Sequence, residues 1–236
     1  MKKIVITGGS GRFGSVLKEI KTKNKIFFPN KNDLNILKLN TIKKYLKKIK
    51  PKIVIHLAGL SRPMDIHESN VNKSIDLNII GTANIAKVCN DLKIKLVYFS
   101  TGYVYPGKKG SYKESEAVFP VNNYAWSKLG GESSVHMLKN SLILRVTMTE
   151  KPFIHKKAFS NVKSNFIFHD SVAKFIFKII NLKGILNVGG EIRSIYNFAK
   201  KNNKNIKKIK APKKFALNSS MNINKLKKVL NKKVII

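Results

Sequence analysis

Tyr124 and Lys128 are the two side chains whose types and spacing best suit proton transfer. They stand four residues apart at the start of a predicted helix, so both face the same side of it. A nearby ammonium group stabilises a phenolate and lowers the pKa of a tyrosine from its usual value of about 10. Such a tyrosine can act as a general acid or base near neutral pH. The pair therefore predicts proton delivery to a carbonyl during hydride transfer.

The same spacing occurs at Tyr105/Lys109 and Tyr196/Lys200, because 43 of the 236 residues are lysine. A Pro-Gly pair breaks any helix between Tyr105 and Lys109. The third pair lies late in the chain, after the sixth predicted strand. Tyr124/Lys128 is therefore the pair that we assign to chemistry.

Thr101 places a hydroxyl group just past the apolar run that predicts the fourth strand. Ligands of parallel sheets bind outside the carboxyl ends of the strands. A hydroxyl group there could bond and orient a substrate carbonyl, and Ser100 could share that role. A solvated Ser-Thr turn is the other interpretation.

A glycine-rich segment follows the first apolar run. Gly8, Gly11 and Gly14 form the pattern G-x-x-G-x-x-G between a predicted strand and a predicted helix. This spacing allows a tight turn, contact of the backbone with phosphate oxygens, and close packing of the helix on the strand. The free N–H groups at the helix start favour a pyrophosphate. The segment predicts a dinucleotide site.

The charges near the second strand favour NADP over NAD. That strand ends in Phe28-Pro29-Asn30-Lys31, without the acid that usually binds the ribose 2′-hydroxyl of NAD. Arg12 and Lys31 are cations suited to a 2′-phosphate. Asp33, 19 residues after Gly14, is the alternative: it could be the missing acid, displaced along the chain.

Length and composition predict one α/β domain, or one domain with a small second lobe. The single cysteine, Cys89, cannot form an internal disulfide, which favours a reducing compartment. The first apolar run is too short for a signal peptide or a membrane helix. We therefore expect a cytoplasmic protein without a membrane partner.

The net charge of +35 arises from 47 Lys and Arg residues against 12 Asp and Glu residues. Such a charge suits nucleic acid. Only four of the cations are arginines, however, and readers of phosphates and bases favour Arg. The richness in Lys, Asn and Ile is typical of A+T-rich coding sequence, so nucleic acid is not the expected partner. The field should still attract anionic nucleotides.

Apolar β-branched runs alternate with amphipathic stretches, which predicts a Rossmann-type α/β fold: a doubly wound parallel sheet. We expect residues 1–146 to form an NAD(P)-binding domain and residues 147–236 a small, shortened C-terminal substrate lobe. Residues 184–190 return to the main sheet. The predicted strands are 3–7, 26–28, 53–57, 96–100, 142–146 and 185–188, and the predicted helices are 13–21, 41–50, 75–92, 124–138 and 222–230, the last with Asn222 as N-cap.

These motifs resemble those of the extended short-chain dehydrogenase/reductases, and within them the dTDP-4-dehydrorhamnose reductase group. The resemblance runs nearly end to end. Departures are Asn35 and Gly102, each in place of Asp, and Met148 in place of Trp; the segment 149–168 is also shortened. The matching segments are 7–14 (TGGSGRFG), 34–36 (LNI), 56–59 (HLAG), 99–107 (FSTGYVYPG) and 124–132 (YAWSKLGGE).

The resemblance implies a catalytic triad of Thr101, Tyr124 and Lys128. In it Tyr124 protonates the substrate oxygen, Lys128 holds the nicotinamide ribose, and Thr101 bonds the carbonyl. The substrate would be a nucleotide-activated keto-deoxysugar. The expected contacts to NADP or NAD are Gly8, Gly11, Arg12, Phe13, Gly14, Lys31, Asn35, Ile36, Leu57, Ala58, Gly59, Tyr124 and Lys128.

Two other functions remain open. A nucleotide-sugar epimerase would use the same residues with transient oxidation and retained cofactor. A non-catalytic NADP-binding regulatory subunit would bind cofactor without turnover, as some relatives of this family do. No metal site is expected, since the histidines lack ligand spacing. Homodimers through helices that flank the sheet are common in the superfamily, so 75–92 and 124–138 form the candidate interface.

Overall fold

The computed structural model describes residues 1–212 and 215–231. Within this part of the chain, six strands form the largest sheet. These strands are β1 (Lys3–Thr7), β2 (Lys25–Phe27), β3 (Ile53–His56), β4 (Lys95–Thr101), β5 (Ser141–Val146) and β6 (Gly184–Val188).

The strand order is β6-β5-β4-β3-β1-β2. β1 pairs in parallel with β2 and with β3, and β3 pairs in parallel with β4. In the register, Ile4 stands opposite both Ile26 and Ile53. β2 therefore lies on one side of β1, and β3 to β6 lie on the other side, so the strand order reverses at β1. Open parallel sheets bind ligands at such a switch point, here beside the carboxyl ends of β1 and β3.

The predicted α/β fold with a parallel sheet is confirmed, and each predicted strand lies within one residue of the observed one. The reason is burial. β3, β4 and β5 are buried along their whole length, so their sequences are continuous apolar β-branched runs rather than alternating ones.

Helices alternate with these strands along the chain. The longest in the described residues, α6, begins after Asn122, whose side chain accepts from the backbone N–H of Ala125 at 2.9 Å. The helices are α1 (Arg12–Lys18), α2 (Leu39–Ile49), α3 (Ile66–Ser69), α4 (Val71–Ser74), α5 (Gly81–Asp91), α6 (Asn123–His136), α7 (His169–Ile179), α8 (Ile195–Lys200) and α9 (Asn224–Val229).

The predicted single helix 75–92 is wrong in its first third. Residues Ile75–Ile80 form a π-helix, and α5 follows it. Such turns contain an extra residue and occur where local contacts hold the wider backbone. Here Asn78 is buried in the π-turn and makes three hydrogen bonds. Sequence periodicity gave no sign of that insertion.

The predicted N-cap of the last helix is also wrong. The N-cap residue of α9 is Ile223, which makes no capping side-chain bond. Asn222 lies one residue earlier, and its Oδ1 accepts from the backbone N–H of Asn224 at 2.9 Å. Its side chain therefore closes a turn before the helix instead of capping it.

Contacts divide the chain into two units. The first contains Met1–Ser100, Asn122–Leu144 and Ile180–Gly184; the second contains Thr101–Val121, Arg145–Ile179 and the described residues from Ile185 onward. The second unit has a core cluster of its own, formed by Phe153, Ala158, Ala199 and Ile206. The functional division at residue 146 stays a prediction.

Over residues 1–212 and 215–231, no helix is long and apolar enough to cross a membrane. The same residues hold no group of three His, Cys, Asp or Glu side chains that could bind a metal ion. Cys89 is a buried thiol, and burial raises its pKa to about 12.

Candidate active site

The glycine-rich loop brings the ends of β1 and β3 into close approach. Gly8 has a φ of +72°, and a Cβ there would lie 2.7 Å from the backbone nitrogen of Ala58. A Cβ on Gly14 would lie 2.3 Å from the carbonyl oxygen of Gly8. That same oxygen accepts from the backbone N–H of Gly11 at 3.0 Å. The loop is therefore a tight turn at the switch point, of the kind that lets a pyrophosphate approach the backbone.

Thr7 and His56 tie the two strand ends together behind this loop. The Thr7 hydroxyl lies 2.7 Å from His56 Nδ1 and accepts from the backbone N–H of Ala58 at 3.3 Å. His56 Nε2 lies 3.2 Å from the Thr82 hydroxyl. A proton on Nε2, with Nδ1 accepting from Thr7, satisfies both contacts. Burial, with a smaller effect of the Lys128 charge, lowers the pKa of His56 to about 3, so the ring is neutral.

Arg12 and Phe13 differ in their surroundings. Arg12 is exposed, and its Nη2 donates to the Ser61 hydroxyl at 2.7 Å. Phe13 is buried, with its ring centre 5.3 Å from that of Phe99. Arg12 therefore bridges the loop to the segment after β3, whereas Phe13 anchors α1 in the core. Their contact with a cofactor stays a prediction.

The turn after β2 leaves one predicted cation exposed. Asp33 Oδ2 accepts from the backbone N–H of Asn30 at 3.1 Å, and Asn30 Oδ1 accepts from the backbone N–H of Asp33 at 2.9 Å. The Asp33 carboxylate thus stabilises its own turn. Lys31 is exposed on that turn. This arrangement suits a 2′-phosphate better than a ribose hydroxyl.

Asn35 and Ile36 form a short segment held against α5. Asn35 Oδ1 accepts from the backbone N–H of Leu37 at 3.0 Å. Ile36 is buried, and its carbonyl oxygen accepts from Asn84 Nδ2 at 3.0 Å. A Cβ on Gly81 would lie 2.6 Å from the Ile36 side chain. The position of these two residues is thus fixed, and their role toward adenine stays a prediction.

The predicted cofactor residues Leu57, Ala58 and Gly59 form the turn after β3, which Asn78 holds. Asn78 Oδ1 accepts from the backbone N–H of Leu60 at 2.7 Å, and its Nδ2 donates to the Leu60 carbonyl at 2.8 Å. Nδ2 also donates to the Ser127 hydroxyl in α6 at 2.8 Å. Asn78 therefore links this turn to the helix that carries Tyr124 and Lys128.

Tyr124 lies in the first turn of α6 and is half-buried. The residue before it, Asn123, donates its backbone N–H to Glu68 Oε1 at 3.3 Å and its Nδ2 to Glu68 Oε2 at 2.5 Å. The Tyr124 ring meets the ring of His67 at 5.1 Å between centres, with the planes at 61°. The helix start is therefore held from outside the helix by α3.

Lys128 is buried one turn further along α6. Its Nζ lies 4.2 Å from the centre of the Tyr98 ring, and the Tyr98 hydroxyl donates to the Lys128 carbonyl at 3.1 Å. Burial lowers the pKa of Lys128 to about 7, and the charge of Glu132 acts in the opposite direction. Near neutral pH, Lys128 is therefore present in both its protonated and its neutral form.

Glu132 lies a further turn along the same face of α6. It is buried, and its Oε2 accepts from the Ser100 hydroxyl at 2.7 Å. A buried carboxylate is costly unless other groups stabilise it. The Ser100 hydroxyl thus donates to a carboxyl group beside Lys128, so its hydrogen is not available to a substrate.

Thr101 is the last residue of β4 and belongs to the second unit. It is buried, and its Oγ1 accepts from the backbone N–H of Tyr103 at 3.2 Å. A threonine hydroxyl accepts and donates at the same time. Its hydrogen therefore stays available for a carbonyl, as the predicted role requires.

A buried polar network organises the second unit. The Tyr105 hydroxyl donates to Asn187 Oδ1 at 2.9 Å and accepts from Arg145 Nη1 at 2.9 Å. Asn187 donates its backbone N–H to Glu114 Oε1 at 3.1 Å and its Nδ2 to the carbonyl of Tyr112 at 2.9 Å. The Tyr105 and Tyr112 rings stack at 5.0 Å. Tyr105 is therefore structural, which agrees with its exclusion as a catalytic candidate.

Each unit contains one cavity of note among its described residues. In the second unit, a cavity of about 750 Å³ is lined in part by the cations Lys163, Arg193, Lys200 and Lys201. In the first unit, an apolar groove of about 400 Å³ runs between Ile75, Ile79, Trp126 and Leu129. The groove lies on the helices named as the candidate dimer interface, and the dimer stays a prediction.

Four side chains near Tyr124, Lys128 or the rest of α6 are not among the predicted site residues: His67, Asn78, Tyr98 and Glu132. For Asn78, inside a predicted helix, the sequence favours a helper role and an exposed polar side chain about equally, and the structure buries it. Glu132 carried a usable signal, since it follows Lys128 by four residues on one helix face. The contacts of the other three reach across many residues, which no local pattern records.

Comparison with known proteins places these residues in a family. Methionine adenosyltransferase 2 subunit beta of Xenopus tropicalis is 32% identical over 155 residues, which are 61% of this chain and 46% of that protein. dTDP-4-dehydrorhamnose reductase of Aggregatibacter actinomycetemcomitans is 27% identical over 154 residues, 63% and 52% of the respective chains. The chain thus spans about half the length of the curated relatives it matches.

Solved structures share the fold. A dTDP-4-dehydrorhamnose reductase from Bacillus anthracis, crystallised in complex with NADP, matches with a TM-score of 0.84 at 23% identity, over 100% of this chain and 93% of that one. The resemblance inferred from the motifs is confirmed. The profile described as RmlD substrate binding domain matches residues 1–157, and the chain therefore belongs to that family.

Proposed function

We propose that the protein is an NAD(P)H-dependent reductase that acts on a keto group of a nucleotide-activated deoxysugar. The observation that carries this proposal is the state of Lys128, which is buried in the same helix as Tyr124, with its ammonium over the Tyr98 ring and its pKa lowered by burial to about 7. A lysine without a role in chemistry is usually exposed to water, whereas Lys128 is buried with its ammonium over an aromatic ring.

The residues have distinct roles in this proposal. NADPH, when bound, supplies the hydride. The phenol of Tyr124 donates its proton to the substrate oxygen as the carbon is reduced. The ammonium of Lys128 stabilises the phenolate that remains and holds the nicotinamide ribose. The hydroxyl of Thr101 donates to the carbonyl oxygen and orients it.

The loop at the switch point is the proposed pyrophosphate site. Gly8, Gly11 and Gly14 fit it because a Cβ on any of them would lie 3.2 Å or less from backbone atoms of the turn or of Ala58. NADP is the preferred cofactor over NAD because Lys31 is exposed after β2 while Asp33 is engaged by its own turn. The solved neighbours are compatible with either cofactor, since the Bacillus anthracis protein is in complex with NADP and the Bordetella bronchiseptica enzyme WbmG with NAD.

The test is turnover. The purified protein is titrated with NADPH and NADH by fluorescence, then mixed with dTDP-, UDP- and GDP-linked 4-keto-deoxysugars while absorbance of the reduced cofactor is followed. We expect oxidation of NADPH with at least one sugar. Tyr124→Phe should lower the rate by at least about a hundredfold.

Tyr196→Phe is the matched control, because Tyr196 has the same spacing to Lys200, whose Nζ lies 5.6 Å from the Tyr196 ring centre in α8. It should leave the rate unchanged. Equal turnover by Tyr124→Phe and wild type would refute the proposed acid. An epimerase would instead retain its cofactor and convert a sugar without net oxidation.

The second candidate function is a non-catalytic subunit. It is favoured by the identity of 32% to methionine adenosyltransferase 2 subunit beta, against 27% to the reductase. A subunit of this kind would bind NADPH and leave it unoxidised with every sugar of the panel. Tyr124 argues for the reductase, because a protein without turnover needs no acid. Lys128 suits either candidate, because it would also hold the nicotinamide ribose.

A further inference from the structure

His67 is a buried histidine that the proposed chemistry does not use. It lies in α3, and its Nδ1 is 2.7 Å from the Ser74 hydroxyl. Its Nε2 is also buried and has no hydrogen-bond partner among the described residues. Buried nitrogens in native proteins nearly always have a partner. Hydrogen bonding alone therefore does not explain an imidazole at this place.

The ring of His67 meets the ring of Tyr124. The centres lie 5.1 Å apart and the planes are tilted by 61°, an edge-to-face arrangement that aromatic pairs favour. The next residue, Glu68, accepts from both the backbone and the side chain of Asn123. Two consecutive residues of α3 thus hold two consecutive residues at the start of α6. The phenol ring is fixed by His67, and the backbone beneath it by Glu68.

The charges around His67 favour its neutral form. Burial and the positive charge of Lys128 lower the pKa of His67, while the carboxylate of Glu68 raises it. Ser74 and Tyr124 face the ring as uncharged groups. A protonated imidazole would place a second cation near Lys128 and compete with it for the phenolate. The arrangement therefore suits an uncharged ring that acts through its packing contact with the Tyr124 ring.

We propose that His67 is a positioning residue for Tyr124: its imidazole, fixed by Ser74, holds the phenol ring in the orientation needed for proton transfer. This inference rests on the proposed function in so far as Tyr124 is the acid. The orientation itself can be tested without any substrate, so the two proposals can fail separately.

The first test uses protein labelled with ¹³C in the tyrosine rings, with the Tyr124 signals assigned through Tyr124→Phe. In His67→Ala we expect the Tyr124 signals to move toward those of exposed tyrosines, because the neighbouring ring current is lost. In His67→Phe, which keeps an aromatic ring, they should stay near their wild-type position. His169→Ala, which removes a buried histidine of the second unit, is the matched control and should leave them in place. Unmoved Tyr124 signals in His67→Ala would overturn the proposal.

The second test uses the nucleotide sugar that the wild-type protein reduces. His67→Ala should lower kcat by about ten- to a hundredfold, since misplacement of a reacting group by about 1 Å costs that much. KM and the Kd of NADPH should change by less than about twofold. His67→Phe keeps a ring beside Tyr124 but loses the bond to Ser74, so it should recover part of kcat. A structural role alone would affect both variants alike, and such a result would overturn the proposal.

Two further outcomes are decisive. If His67→Ala does not fold, Ser74→Ala takes its place, because it removes the bond that fixes the imidazole. This variant should shift the Tyr124 signals and lower kcat severalfold. No change in either quantity would overturn the proposal. If the wild-type protein reduces no nucleotide sugar, the proposed function fails, and the tyrosine signals alone decide whether His67 holds Tyr124.

Discussion

The ammonium of Lys128 lies 4.2 Å from the centre of the buried Tyr98 ring, and the hydroxyl of the same ring donates to the Lys128 carbonyl. Tyr98 therefore holds both the charge and the backbone of one residue. Its aromatic face stabilises a desolvated cation by about 2 kcal/mol without adding a counter-charge. The protonated form of Lys128 is thus stabilised from β4, and the charge of Glu132 also raises the pKa of Lys128 against the effect of burial.

The first prediction concerns the pH dependence of the reaction. Burial lowers the pKa of Lys128 to about 7, and the protonated form is the one that stabilises the phenolate of Tyr124. We expect kcat/KM to fall as the pH rises through about 7, since this quantity reports groups of the free enzyme. Glu132→Gln removes the anion that raises the pKa of Lys128, so the fall should move to lower pH.

The control for this experiment is Glu116→Gln, because Glu116 is an acid that pairs with Lys109 in the second unit. It should leave the pH profile in place. A profile that does not move in Glu132→Gln, or moves to higher pH, would contradict the assignment to Lys128.

The second prediction concerns acid stability. Burial, and to a lesser extent Lys128, lowers the pKa of His56 to about 3, whereas the unfolded chain has a value of about 6.5. Between these values the unfolded state binds more protons, so stability is complete above about pH 6.5 and is lost as the pH falls toward 3. The loss from this group amounts to about 5 kcal/mol at most.

Urea unfolding between pH 4.5 and 7.5 measures this effect. His56→Asn should reduce the slope of the unfolding free energy against pH. His136→Asn changes an exposed histidine and should preserve the slope. Identical slopes for His56→Asn and the wild type would show that His56 is not the titrating group.

The third prediction concerns two adjacent glycines of α6. A Cβ on Gly131 would lie 2.4 Å from the carbonyl oxygen of Asn78, whereas a Cβ on Gly130 would meet the end of the Ile79 side chain at 2.8 Å. Alanine raises helix propensity by about 1 kcal/mol at either position. A backbone carbonyl can move away from an added Cβ less easily than the end of a side chain can. Gly131→Ala should therefore lower the free energy of unfolding by about 1–3 kcal/mol. Gly130→Ala should be close to neutral in thermal unfolding, and equal losses would contradict the packing argument.

The fourth prediction concerns cofactor choice. Lys31 is exposed on the turn after β2, where the Asp33 carboxylate already accepts from Asn30. Lys31→Ala should weaken NADPH binding by about tenfold or more, as expected for loss of a charge-assisted hydrogen bond to phosphate. NADH binding should change little. Fluorescence titration measures both, with the exposed Lys43→Ala of α2 as control; an equal loss for both cofactors would argue against a 2′-phosphate at Lys31.

The strands and the start of α6 could be predicted because their signals are local. Apolar β-branched runs mark the buried strands, and Asn122 with the helix after it marks the position of Tyr124. The environment of Lys128 could not be predicted. Its partner Tyr98 lies 30 residues away in β4, and nothing in a run such as Leu96-Val97-Tyr98 distinguishes a ring that carries a cation from one that only fills the core.

The π-helix was missed for a related reason. Ile75, Ile79 and Ile80 have a spacing that an amphipathic α-helix also shows, and a single turn is too short for its periodicity to reveal an added residue. What holds the wider turn is the set of hydrogen bonds from Asn78 to Leu60 and Ser127. Their energy depends on the positions of two distant segments and not on the residues of the turn itself.

The π-turn also sets the phase of a row of polar side chains. Ser74, Asn78 and Thr82 stand four residues apart and contact His67, Ser127 and His56 respectively. In a regular α-helix each step of four residues overshoots a full turn by about 40°, which would spread the three around the axis. A π-turn has more residues per turn than an α-turn, so it counteracts this drift. Deleting one residue from 75–80 would therefore rotate the helix on one side by about 100° relative to the other, so that His67 and His56 could no longer both be held by the same helix.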